Sequence, residues 1–126
     1  MARTQITTDG APTPLGGYSQ AIRAGKLVFT AGQVGIDPLT GELAGDTIQD
    51  QTAQAIENLS AILGEAGATL ADVVKVTAFL GDMANFPGYD AIYRTYFPEP
   101  FPARSSVGAN LGRFLVEIEA VAVLPG

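Results

Sequence analysis

The 126-residue sequence contains no cysteine, no histidine and no tryptophan. Without cysteine there are no disulfides, no thiolate nucleophiles and no zinc–thiolate sites. Without histidine the commonest general base is gone, and with it the Ser–His and Cys–His pairs and most transition-metal sites. Any chemistry must use Arg, Lys, Tyr, Ser, Thr, Asp, Glu, backbone groups or water, and no metal or cofactor is expected. Basic residues are scarce too: seven against thirteen acids, for a net charge of -6 and a pI near 4.3. Phosphate backbones are held through clustered Lys and Arg, so neither a nucleic acid nor an anionic membrane surface is expected as a partner. No apolar run approaches the roughly 18 residues of a membrane span, and no basic start with an apolar stretch suggests a signal peptide. A cytoplasmic protein is the expectation.

What is present is apolar. Hydrophobic residues make up 47% of the chain and charged ones 16%, which argues against disorder and for one domain over residues 1–126. Residues 8–17, TDGAPTPLGG, read as a loop broken by proline and glycine. A hairpin is predicted next, with a strand over 18–23, an Ala24-Gly25 turn and a β-branched strand over 26–34. Asp46 is the expected N-cap of an amphipathic helix carrying Ile48, Thr52, Ala55, Ile56, Leu59, Ile62, Leu63 and Ala66, and ending at Gly67. A valine-dense strand follows over 72–81. A second helix is capped by Asn85, with Phe86, Tyr89, Tyr93 and Tyr96 on one face, and strands over 102–109 and 115–124 close the chain. A short strand over 3–7 would add to the set.

This ββ-α-β-α-ββ order has too few helices to cover both faces of a five- or six-stranded sheet, so both are expected on one side of an α+β fold. Alternation in the last strand points Val116, Ile118, Ala120 and Ala122 into the core, with Leu115, Glu117, Glu119, Val121 and Val123 opposite. Leu27, Phe29, Ala31 and Gln33 read as part of that second, mixed face. Left bare, it would be an apolar patch of a size that monomers rarely expose, and a homo-oligomer is the expected answer.

The segments GGYSQAI, LVFTAGQVGIDPLTGEL, IQDQTAQAIENLSAILGEAGATLADVVKVTAFLGDMANFPGYDAIYRTYF, FPARSSV and VEIEAVA resemble the RidA (YjgF) family of imine and enamine deaminases. The resemblance runs from about Gly16 to Val123, and FPARS followed by the EIEA strand is its most specific combination. It implies a chorismate-mutase-like fold, a homotrimer with sheets packed around a central barrel, and ligand sites between subunits. It also implies hydrolysis of 2-imino or enamine acids, such as 2-aminoacrylate, to 2-keto acids and ammonia.

Read from residue type alone, Arg104 is either a bidentate carboxylate clamp or a structural partner of Glu117 or Glu119. Glu117 is either a working carboxylate or a solvated strand residue. Tyr18 follows a glycine pair and reads either as a ligand contact or as a rim residue. The resemblance gives Arg104 the substrate carboxylate, Glu117 the attacking water and Tyr18 a place in the pocket. Ala31, Gly32, Ser106 and Asp90 join the expected substrate-binding set. Four positions depart from the family pattern: Gly17 stands for the proline of GPY, Ala31 for serine, Asp90 for asparagine and Ser106 for cysteine. Asp90 has two readings, a second negative charge in the cleft or a surface residue in the first turn of the second helix. Two alternatives to deamination stand beside it: a non-catalytic carboxylate-binding module or holdase, and an endoribonuclease or translation inhibitor.

Overall fold

The computed structural model describes residues 2–126 and is α+β. In chain order the elements are β1 (Arg3–Ile6), β2 (Ala21–Ala24), β3 (Leu27–Thr30), β4 (Gln33–Val34), α1 (Ile48–Ala66), β5 (Val73–Leu80), α2 (Phe86–Tyr96), β6 (Ala103–Gly108) and β7 (Val116–Val123). The sheet runs β1-β2-β3-β7-β5-β6, with β4 also paired to β7. Among the described residues only β5 and β6 pair in parallel. Parallel neighbours need a crossover, and α2 supplies it. Both helices cover the same face. Ile56, Leu59, Ile62 and Leu63 of α1 and Tyr89 and Tyr93 of α2 share one core with Val28, Val76, Val116 and Ile118 from the sheet. Alternation in β7 is as expected: Val116, Ile118, Ala120 and Ala122 are buried, and Glu117, Glu119, Val121 and Val123 face the uncovered side.

Several local expectations change. The hairpin strand begins at Ala21, and its turn is Gly25-Lys26, because Ala24 pairs with Leu27 and Gly25 takes the left-handed φ of 62° that such a turn requires. Thr47, not Asp46, caps α1, its hydroxyl accepting from the Asp50 amide at 3.1 Å. Asn85 precedes α2 but its side chain makes no capping bond. Asp82 does that work one turn earlier, accepting from Ala84 N at 2.9 Å at the head of a 3₁₀ turn that runs into α2. The aromatic row on α2 continues from Phe86, Tyr89 and Tyr93 to Phe97, stacked on Tyr93 at 4.4 Å, while Tyr96 sits beside Glu57 of α1.

The largest change is in the predicted strand over 26–34, which breaks at Ala31-Gly32. Phe29 pairs with Val121, but Gln33 pairs with Ile118, so three residues of this strand face two of β7. That bulge reverses the side-chain parity. Gln33 is therefore buried on the core side, not on the mixed face with Leu27 and Phe29.

Candidate functional site

Two clefts hold five of the seven sequence-predicted residues, Ser106 and Ala31 lining neither, and the clefts lie on opposite faces of the sheet. The first, of about 220 Å³, is walled by Asp90, Tyr93 and Arg94 of α2 and by Phe101, Pro102 and Arg104. Arg104 pairs in register with Val76, a core-face residue, so its side chain rises toward α2. Its guanidinium lies over three rings, 4.5 Å from the centroid of Tyr93, 5.2 Å from Tyr89 and 5.4 Å from Phe86. Aromatic faces attract a cation most where water is thin, and here they hold the guanidinium from below. Burial pushes the Tyr93 phenol up to about 12, so it stays a neutral hydroxyl. Ser106, two residues along the same face, meets Tyr89 Oη at 3.2 Å, again a neutral phenol raised chiefly by burial.

Arg104 pairs with neither glutamate of β7. Its partner is Asp90, whose Oδ1 lies 2.9 Å from Nη1, while Asp90 Oδ2 accepts from Arg94 Nε at 2.9 Å. The N–H of Nη1 is not aimed at the carboxylate, and that buried nitrogen has no aligned hydrogen-bond partner among the described residues. Tyr93 Oη on the same wall has none either. Asp90 is the fifth residue of α2, so it stands in the cleft and not at a solvated first turn. Burial disfavours its ionised form, but the two guanidiniums outweigh that and hold its carboxyl below the usual range.

The second cleft, of about 190 Å³, is lined by Pro12, Thr13, Leu15, Tyr18, Gly32, Phe114 and Glu117, among others. Glu117 pairs with Phe79 and Val34 on the uncovered face. Its carboxylate packs against the Gly32 backbone so closely that a Cβ there would lie 2.7 Å from Oε2. Desolvation, and then the charge of Glu119, push its carboxyl above the ordinary range. Tyr18 leaves the loop half exposed, and Ala31 is tied down by its amide, which donates to the Gln20 carbonyl at 2.8 Å.

Three buried amides that the sequence reading missed shape this second cleft. Gln20 accepts from Thr8 N at 2.7 Å and donates to the carbonyls of Thr8 and Pro12, folding the 8–17 loop back onto the sheet beside Tyr18. Gln51 donates to Gly45 O and accepts from Leu115 N. Asn58 donates to the carbonyls of Val34 and Ile36. Each satisfies loop backbone that would otherwise be buried unpaired. Helical spacing already places Gln51 beside Ile48 and Ala55, and Asn58 beside Ala55 and Ile62, which is the signal available for them.

Among the described residues no group of His, Cys, Asp or Glu comes together to hold a metal, and no helix is long and apolar enough to cross a membrane. Within one chain, Arg104, Asp90 and Ser106 form one group and Tyr18, Gly32 and Glu117 another; the sheet stands between them.

The family model described as Endoribonuclease L-PSP matches residues 8–124. A RutC family protein of Pyrococcus abyssi is 48% identical over 126 residues, spanning 97% of this chain and 98% of that protein. A 2-iminobutanoate/2-iminopropanoate deaminase of Mus musculus is 42% identical over 125 residues, spanning 98% and 93%. The crystal structure of Escherichia coli TdcF with bound serine is similar with a TM-score of 0.91 at 36% identity, covering 97% of this chain and 99% of that one.

Proposed function

The chain belongs to the RidA (YjgF) family, and from that premise we propose that it hydrolyses 2-imino acids and their enamine tautomers to 2-keto acids and ammonia. The observation that carries the reading is Arg104: a guanidinium seated on three aromatic rings, with a buried Nη1 that lacks an aligned partner. Such a planar fork takes a carboxylate edge-on. The serine bound to TdcF offers the same carboxylate that a 2-imino acid would present. A water held by the Glu117 carboxylate adds to C2 of the imine and passes its proton to that carboxylate. The resulting carbinolamine takes that proton on nitrogen, and as the C–N bond breaks to release ammonia its hydroxyl returns a proton to the carboxylate, leaving the keto acid. Tyr18 closes the pocket and donates toward the new hydroxyl. Positioning and modest electrostatics are enough for so reactive a substrate.

The two clefts belong to one site only when a second copy brings its Glu117 and Tyr18 to the first copy's Arg104. The uncovered sheet face favours that assembly. Leu27, Phe29, Val107 and Val123 are exposed apolar residues on it, and burying them between copies removes a surface costly to leave in water. A homotrimer is the assembly proposed.

The test couples an amino-acid oxidase, as the source of 2-imino acids, to semicarbazide as a trap. Wild-type protein is expected to compete with the trap, and Arg104→Ala to lose about 100-fold or more in kcat/KM. Equal rates from Arg104→Ala and wild type would sink the reading. Keto-acid binding without competition for any imine would select the binding module. Phe29→Asp is expected to break the assembly in light scattering and to abolish turnover with it.

A further inference from the structure

Asp90 sets a difficulty for the site as drawn. A carboxylate 2.9 Å from Arg104 competes with any ligand carboxylate for the same guanidinium. The geometry around it also contains the remedy. Arg94, one helical turn on, takes the other oxygen of Asp90 in a directed hydrogen bond of 2.9 Å. The Arg104 contact, although equally short, is not aligned.

We propose that Arg94 is a positioning residue for ligand binding: it holds Asp90, divides that negative charge between two guanidiniums, and leaves Arg104 able to receive a carboxylate. This rests on Arg104 as the carboxylate seat.

An acid followed by a base four residues later on a helix is common, and by itself it speaks only to helix stability. Two features set this pair apart. Asp90 bridges, one oxygen to each arginine, so whatever strengthens one contact weakens the other's claim on the same charge. Arg94 is also held over the cleft: its guanidinium lies 5.6 Å from the ring centroid of Phe101, which lines the same wall, although its side chain is 63% exposed. Two arginines and one aspartate leave a single positive charge there. That is the electrostatic equivalent of one free arginine beside a neutral amide, with the second cation doing the neutralising. Remove Arg94 and the cleft becomes a closed Arg104–Asp90 pair with no net charge to attract an anion.

The experiment is calorimetric titration of the assembled protein with 2-oxobutanoate, a 2-keto acid of the product class, at low and moderate salt. Arg94→Gln is expected to weaken binding about three- to tenfold, screened by its exposure and further reduced in salt. The double variant Asp90→Asn with Arg94→Gln is expected to recover most of that loss, because the competing charge is gone. Titration of the Asp90 carboxyl by NMR supplies a readout that a merely helix-stabilising role would not couple to affinity: it should move upward in Arg94→Gln. Unchanged affinity in the single variant overturns the proposal. So does a double variant as weak as the single one, since Arg94 would then be touching the ligand itself. Imine turnover on the same samples keeps the two readings apart. The expected binding order without turnover removes the deaminase and leaves the role of Arg94 intact. A wild-type protein that binds no 2-oxobutanoate removes the carboxylate seat and this role together.

Discussion

The cleft around Arg104 and the cleft around Glu117 treat charge in opposite ways. On the α2 side two guanidiniums surround one carboxylate, aromatic rings line the floor, and Asp90 is held ionised below its ordinary range. On the uncovered side Glu117 has no cation within ion-pair distance among the described residues. Desolvation and then Glu119 push its carboxyl upward. The first cleft offers positive potential and keeps it through ordinary pH. The second holds a carboxylate that takes up a proton more readily than a surface glutamate would. In the proposed reaction these are the two separate tasks, fixing an anion and handling a proton, and the fold assigns one to each side of its sheet.

The most severe way to break this contrast is Glu117→Gln, which keeps shape and removes the proton acceptor. A loss of about 10²- to 10³-fold in kcat is expected, with KM little changed, in the range typical of a general base. The pH profile carries the sharper test. In the wild type kcat/KM should fall as pH drops through a value above the usual glutamate range, and that acid limb should vanish in Glu117→Gln. The linkage sign makes a second check. A carboxyl whose folded pKa is raised lends stability below its unfolded pKa and loses it as pH rises through the folded one, so Glu117→Gln should melt no lower than wild type at neutral pH. Losing activity without losing stability separates a working carboxylate from a structural one.

Gly32→Ala asks the same question more gently. The new methyl would lie 2.7 to 2.9 Å from Oε2, Cδ and Cγ of Glu117, so the whole side chain must swing away, and the fold should persist while the carboxylate moves. About a tenfold loss in kcat is expected, with unchanged far-ultraviolet circular dichroism. Smallest of all is Glu119→Gln. It removes the like charge that adds to the desolvation of Glu117, and should move the acid limb to lower pH by less than about one unit. No movement would make desolvation the whole cause.

Much of the architecture was legible in the chain because it is periodic. Val116, Ile118, Ala120 and Ala122 announce a strand with one buried face, and Ile56, Leu59, Ile62 and Leu63 a helix stripe. Polar residues serving backbone groups were legible only as positions. Helical spacing sets Gln51 and Asn58 in the buried stripe of α1, but what they bind, and the burial of Gln20, follow only once the loops that need them are in place. The partner of Arg104 was hidden for a related reason. Asp90 and Arg94 show their i,i+4 relation in the sequence, but only the β5-α2-β6 crossover lays Arg104 beside them. Nor does alternation say that Arg104 and Glu117 rise from opposite faces, since β6 and β7 are separated by β5 and their mutual register is a tertiary fact.

The extra residue between Thr30 and Gln33 makes the chain change sides halfway along one hydrogen-bonded edge. A chain one residue shorter there could keep every rung of the ladder with β7 and still lose the pocket. Gln33 would still lie opposite Ile118 and face the core, but the irregular stretch that brings Gly32 beneath Glu117 would be drawn into the regular ladder, and the glycine that lets the carboxylate settle would no longer lie there. Secondary structure would read the same in a spectrum. A single-codon deletion at this point would therefore uncouple folding from chemistry, marking the position in this strand where length, more than residue identity, is under constraint.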